Sequence, residues 1–240
     1  MTIYGSPPQL LGHFDLDFTE YMHYMYLPFY IAEDYEHDGG YQADLPRNLT
    51  FAEPLIEAAM EREAKLTLQG LSHPYKYVYL TARRGYATPG NPLNRPGWHS
   101  DGFGTDDVNY VWTDRFPTLF AEGEFRRISE DHLESAQQFE RQIRDYAWDG
   151  GSIRVNTYGD GELMRLDPSV VHAAPEIPVP GGERSFVKIS FSNDRYDLLG
   201  NAHNHGLDYY WPMHERAVTR NDPASAARDF GHTPLGSSQG

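Results

Sequence analysis

The chain has 240 residues, 35 acidic against 20 basic, for a formal net charge of -15, with 11 histidines and no cysteine. That length can bury a full core unaided. The missing cysteines exclude disulfides and sulfur-based metal sites, and the acidic balance disfavours a nucleic-acid partner. Apolar runs are too short for a membrane span, and no secretory signal is expected at the N-terminus, so a cytoplasmic protein is expected. Aromatic residues make up 14% of the chain, with 17 tyrosines. Tyrosine brings area and a polar tip together, which suits a core around an enclosed polar site.

Residues 1–50 read as irregular, acidic and tyrosine-rich. Residues 51–70 read as a helix, with Thr50 and Glu53 at capping-box spacing, Pro54 in the first turn, and Ala52, Leu55, Ile56, Ala59 and Met60 on one face. Residues 75–83 alternate. Tyr77, Tyr79, Thr81 and Arg83 share one face of a strand, and Val78, Leu80 and Ala82 share the other. A proline-rich loop leads to Trp98-His99-Ser100-Asp101-Gly102, followed by strands at 108–113 and 118–121. A second helix spans 130–146. Strands at 153–158 and 162–166 flank Gly159-Asp160-Gly161, a hairpin signal. Residues 168–175 carry His172, and 185–192 form the clearest strand of the chain. The stretch 207–215 is expected to fold back as an aromatic cover, and 222–240 to form a tail. No internal repeat is visible. One domain over 1–240 is expected, with its core at about 51–192 and a cover and tail at 193–240. Many short strands with two helices indicate a β-barrel or sandwich braced by helices on one face.

Several short histidine–acid patterns occur, and position separates them. A mononuclear iron site needs two histidines and a carboxylate on one side of the metal, with the remaining positions open. His99 and Asp101 stand two apart at a strand edge, where both side chains can point the same way. His172 arrives from a distant strand. His13 and Asp15 precede any strand pair that could form a barrel, and His132 and Glu134 diverge on a helix. His203 and His205 leave too little chain for a barrel of their own. Arg184 opens the strand after His172, and its planar fork suits a carboxylate.

His99-x-Asp101, His172 and then Arg184, set in Pro-Gly-Trp-His-Ser-Asp-Gly and Leu-Asp-Pro-Ser-Val-Val-His-Ala-Ala-Pro, resemble the signature of the Fe(II)/2-oxoglutarate-dependent oxygenases over about residues 75–192. The resemblance implies a mainly β fold with flanking helices, a double-stranded β-helix (jelly-roll, cupin-like) barrel. It implies that His99, Asp101 and His172 bind Fe(II), and that Arg184 holds the 5-carboxylate of the co-substrate 2-oxoglutarate. O2 would be the oxidant, with succinate and CO2 as co-products of hydroxylation. Many members carry Arg-x-Ser where this chain has Phe186; Lys188-Ile189-Ser190 repeats that pattern with lysine, so either cation could face inward. Tyr79 is the candidate hydroxyl for the same carboxylate.

A small-molecule substrate is the first expectation. The alternatives are a nucleobase dioxygenase acting on DNA or RNA and a non-enzymatic β-barrel binding protein. The loop 86–98, residues 103–107 and 207–215 are expected to rim the pocket. Arg83, Arg84 and Arg95 read as surface cations or as anchors for an anionic substrate. Trp98, Tyr110 and Trp112 read as core residues or as stacking platforms.

Overall fold

The computed structural model describes residues 3–32, 40–149 and 152–215. Among these, the strands are β1 (Gln9–His13), β2 (Met22–Ile31), β3 (Gln42–Ala43), β4 (Tyr77–Ala87), β5 (Val108–Thr113), β6 (Leu119–Glu122), β7 (Arg154–Thr157), β8 (Glu162–Leu166), β9 (Val171–Ala173) and β10 (Gly182–Ser192). Helix α1 spans Glu53–Leu68 and α2 spans His132–Asp149. A seven-stranded antiparallel sheet runs β1-β8-β5-β10-β4-β2-β3, and a three-stranded one runs β7-β6-β9. The two face each other in a jelly-roll-like arrangement. Among the described residues their ladders do not close into a continuous barrel.

Strand alternation assigns the faces. On β10, Val187, Ile189 and Phe191 point outward into a core shared with Leu55 and Ala59 of α1. Each such fully buried aliphatic side chain contributes about 1.5–3 kcal/mol. Arg184, Phe186, Lys188 and Ser190 point the other way, and Phe186 meets Phe120 of the small sheet. Helix α2 covers the outer face of the small sheet, where Phe139 packs with Ala121 and Val171. The helices therefore brace opposite sheets rather than one face. Among the described residues no helix is long and apolar enough to cross a membrane.

Other expectations also give way. The N-terminal stretch supplies the ten-residue β2, paired with β4, so the sheet begins well before residue 51. Its alternation is hidden by register breaks between Tyr24 and Leu27 and between Pro28 and Tyr30. Tyr26 itself has φ +51°, and its N–H donates to Thr81 Oγ1 instead of the ladder (3.0 Å). Glycine and aspartate at 159–161 do turn the chain, but not into a hairpin. Strand β7 pairs with β6, whereas β8 pairs with β1 and β5 in the other sheet. Gly161 (φ +78°) makes the corner, and a Cβ there would lie 2.5 Å from the His13 ring. The capping box does not form either. A 3-10 turn over Arg47–Ala52 leads into α1, and the Thr50 hydroxyl donates back to the Arg47 carbonyl (3.0 Å). Pro54 does occupy the first turn.

Glu63 of α1 is buried against the sheet. Its Oε1 accepts from Arg165 Nε and from the Tyr110 hydroxyl, both at 2.6 Å, and its Oε2 accepts from Ser72 (3.1 Å). Trp112 lies in the same core and donates to the Phe14 carbonyl (3.0 Å). Tyr110 and Trp112 are thus core residues. The 207–215 segment folds back: Leu207 and Trp211 pack on Ile31, Tyr77 and Tyr79. The expected tail at 222–240 lies outside the described residues.

Candidate metal centre

Two histidines meet on one rung of backbone pairing. His99 N donates to His172 O (3.0 Å), and His172 N donates to His99 O (2.8 Å). Such a reciprocal antiparallel pair places both side chains on the same face, side by side. The ring centroids are 4.5 Å apart. His172 belongs to β9 and points between the sheets like its register partner Phe120. His99 extends the small sheet by one bridge beyond β9.

After His99 the chain leaves the rung in a turn. The Ser100 hydroxyl donates to the Pro168 carbonyl (2.6 Å), anchoring the turn to the segment before β9. Gly102 takes φ +75°, and a Cβ there would sit 2.8 Å from the Asp107 carbonyl oxygen. This bend carries Asp101 back over the two rings. Its Oδ1 lies 3.8 Å from His99 Nε2 and its Oδ2 3.6 Å from His172 Nε2. One ligand atom from each of the three residues falls within 4.8 Å of the others.

The protonation pattern suits a metal. The Nδ1–H of His99 donates to the Gly97 carbonyl (2.9 Å), the tautomer that leaves Nε2 with a lone pair. Burial, and then the neighbouring His172, push His99 down to about 3, so it is neutral at ordinary pH. Burial works to raise Asp101, but the Lys188 ammonium, His172 and His99 outweigh it and hold the carboxyl well below the usual range. Two imidazoles and one carboxylate on one side of a shared point fit a divalent ion such as Fe(II), with positions left open.

Lys188 takes an unexpected place. Its Nζ lies 2.9 Å from Asp101 Oδ2 and 3.1 Å from the Tyr26 hydroxyl, and over the Tyr26 ring. Burial lowers the lysine, but Asp101 and then Tyr26 more than reverse this, and its pKa is raised. The unusual backbone of Tyr26 thus aims a ring at the centre. Tyr196 packs edge-on against Tyr26 and donates to Asp107 Oδ2 (2.7 Å).

Arg184, four residues back on the same strand face, is 1% exposed. Its Nε donates to Phe116 O (3.0 Å), and its Nη1 donates to Pro92 O (3.1 Å) and Asn94 Oδ1. Nη2 is buried with no partner among the described residues. Burial lowers its pKa to about 10, still charged at neutral pH. Tyr79 is placed differently from expectation. Its hydroxyl donates to Asp194 O (2.9 Å) and accepts from Tyr196 N (3.0 Å), and its ring stacks on Tyr196 at 4.2 Å. That hydroxyl is spent on tethering 194–196 and is not offered to a carboxylate.

Several other expected site residues have structural partners. Arg84 bonds Asp114 (3.2 Å), Ser185 (2.7 Å) and Glu183. Arg83 donates to Leu93 O. Trp98 and Phe103 pack against the cluster under α2. Sequence reasoning missed Tyr26 and the Lys188–Asp101 pair. The inward face of Lys188, shared with Arg184, was available from strand alternation, but its contact with Asp101 was not.

No family model matches the sequence, and no curated protein matches it. Among solved structures the chain is similar to a full-length Neurospora crassa protein in complex with alpha-KG, at 12% identity and a TM-score of 0.35, covering 71% of this chain and 55% of that one. It is similar to a BsmA homologue from Methylobium petroleophilum PM1 at 18% identity and a TM-score of 0.32, covering 70% and 63%. It is also similar to the non-heme monooxygenase ThoJ in complex with nickel, at 13% identity and a TM-score of 0.35, covering 75% and 70%. The chain thus spans less than two thirds of the first two proteins.

Proposed function

We propose that this protein is an Fe(II)- and 2-oxoglutarate-dependent dioxygenase that hydroxylates an unactivated C–H bond of a small molecule. The observation that carries the reading is the convergence of His99, Asp101 and His172, with their ligand atoms within 4.8 Å of one another. Iron and 2-oxoglutarate, when bound, would supply the oxidising power, with O2 consumed and succinate and CO2 released.

In this reading the chain's own residues bind, orient and shield. His99 and His172 present ring nitrogens from one backbone-paired rung. Asp101 supplies the one anionic ligand. Arg184 offers its buried Nη2, which has no partner among the described residues, to the far carboxylate of 2-oxoglutarate. Lys188 already has Asp101 and the Tyr26 hydroxyl as partners, whereas Arg184 Nη2 has none among the described residues. Arg184 is therefore the choice between the two cations.

Anaerobic addition of Fe(II) and 2-oxoglutarate should give a weak visible band. In air, succinate should appear across a panel of amino acids, nucleosides and oligonucleotides. His99→Ala should abolish both signals. Full succinate turnover by that variant refutes the assignment. Response to an oligonucleotide alone transfers the reaction to nucleobases. A wild-type protein with neither band nor bound metal is a binding protein.

A further inference from the structure

Charge balance around the candidate centre carries the next step, which rests on the function just proposed. A dication would be neutralised by Asp101 together with the near carboxylate of 2-oxoglutarate. Arg184 would neutralise the far carboxylate. Lys188 then stands over as one extra positive charge. The side chain of Lys188 is only 10% exposed, and that of Asp101 only 20%. Among the described residues, the groups facing the ammonium are Asp101 and the Tyr26 hydroxyl. Asp107, the next carboxylate along, is engaged by Tyr196. Arg95 adds to the positive side at His99. An uncompensated charge in so enclosed a site is costly.

Once a metal takes hold of Asp101, the carboxylate no longer belongs to Lys188 alone. We infer that the substrate is a carboxylate, and that its anionic group docks on Lys188 Nζ and the Tyr26 hydroxyl. A carboxylate brings the single negative charge that is wanting. A phosphate group brings about 1.5–2 and would overshoot. Lys188 and Tyr26 would thus fix which end of the substrate lies beside the metal, leaving a carbon further along the molecule to be oxidised.

The test uses matched pairs of monocarboxylic acids and their primary amides, aliphatic and aryl. Each is titrated into the full chain holding Fe(II) and saturating 2-oxoglutarate under nitrogen, and its shift of the visible band is recorded. Succinate release is then measured in air. Acids should act at roughly ten- to hundredfold lower concentration than their amides, the range for a charge-assisted hydrogen bond. Lys188→Met should erase that preference, and Lys188→Arg should retain part of it. An amide that equals its acid, or a panel in which no acid shifts the band, overturns the inference while leaving the function intact. No band before any probe is added brings down the function instead. If Lys188→Met gives no band, the acid-to-amide ratios of the wild type and of Lys188→Arg decide.

Discussion

Replacing Asp101 tests the centre without any metal at all. The carboxylate sits 2.9 Å from the Lys188 ammonium. At that distance, with an effective dielectric of roughly 20, the attraction is about 6 kcal/mol. Desolvation of both partners offsets part of this, so breaking the pair should cost about 3–5 kcal/mol, the range for stranding a buried charge. Asp101→Ala should therefore lower the unfolding free energy by that amount in a chelator-treated sample. Lys188→Met should cost less, about 1–2 kcal/mol, because the more open carboxylate can be rehydrated. The double variant should recover most of the Asp101→Ala loss, giving a coupling energy above about 1.5 kcal/mol. Urea unfolding followed by circular dichroism measures all three, from midpoint and slope. An Asp101→Ala loss below about 1 kcal/mol, or a double variant equal to the sum of the singles, refutes the reasoning.

Three further outcomes are expected. Arg184→Lys keeps a charge but loses the fork, and should weaken 2-oxoglutarate roughly ten- to hundredfold in the anaerobic titration while Co(II) binding alone is unchanged; equal 2-oxoglutarate affinity removes Arg184 from the site. Glu63→Ala leaves Arg165 buried without its carboxylate and should cost about 3–5 kcal/mol in urea, with a loss under about 1 kcal/mol counting against the burial argument. Gly102→Ala must shift the turn that carries Asp101, and should weaken metal binding about tenfold, since strain of this kind is worth about 1–3 kcal/mol; unchanged Co(II) affinity shows that the turn yields freely.

The candidate ligands were legible because chemistry narrowed the field. A histidine two before an aspartate at a strand edge is useful only if a second histidine comes from a strand that packs nearby, and His172 alone met that condition. The strands around them were equally plain where the period of two was unbroken, as in 108–113 and 185–192. What hid β2 was the pair of register breaks, between Tyr24 and Leu27 and between Pro28 and Tyr30, which scramble the alternation. The false hairpin at 159–161 arose because a glycine turn specifies a change of direction and not which sheet receives the next strand. Glu63 was overlooked although it falls in line with Leu55 and Ala59, where a carboxylate on an apolar stripe signals a buried partner. Lys188 was recognised as inward-facing, but its attachment to Asp101 depends on the Gly102 bend, which no local pattern encodes.

The two imidazoles hang from one pair of reciprocal amide bonds, so their spacing is inherited from the ladder and not from loop conformation. An ion arriving there would find two of its contacts already set out, and need recruit only the carboxylate by drawing it off the lysine. Stripping the ion with a chelator should leave the cradle standing, and recharging should be limited by how quickly the ion sheds water.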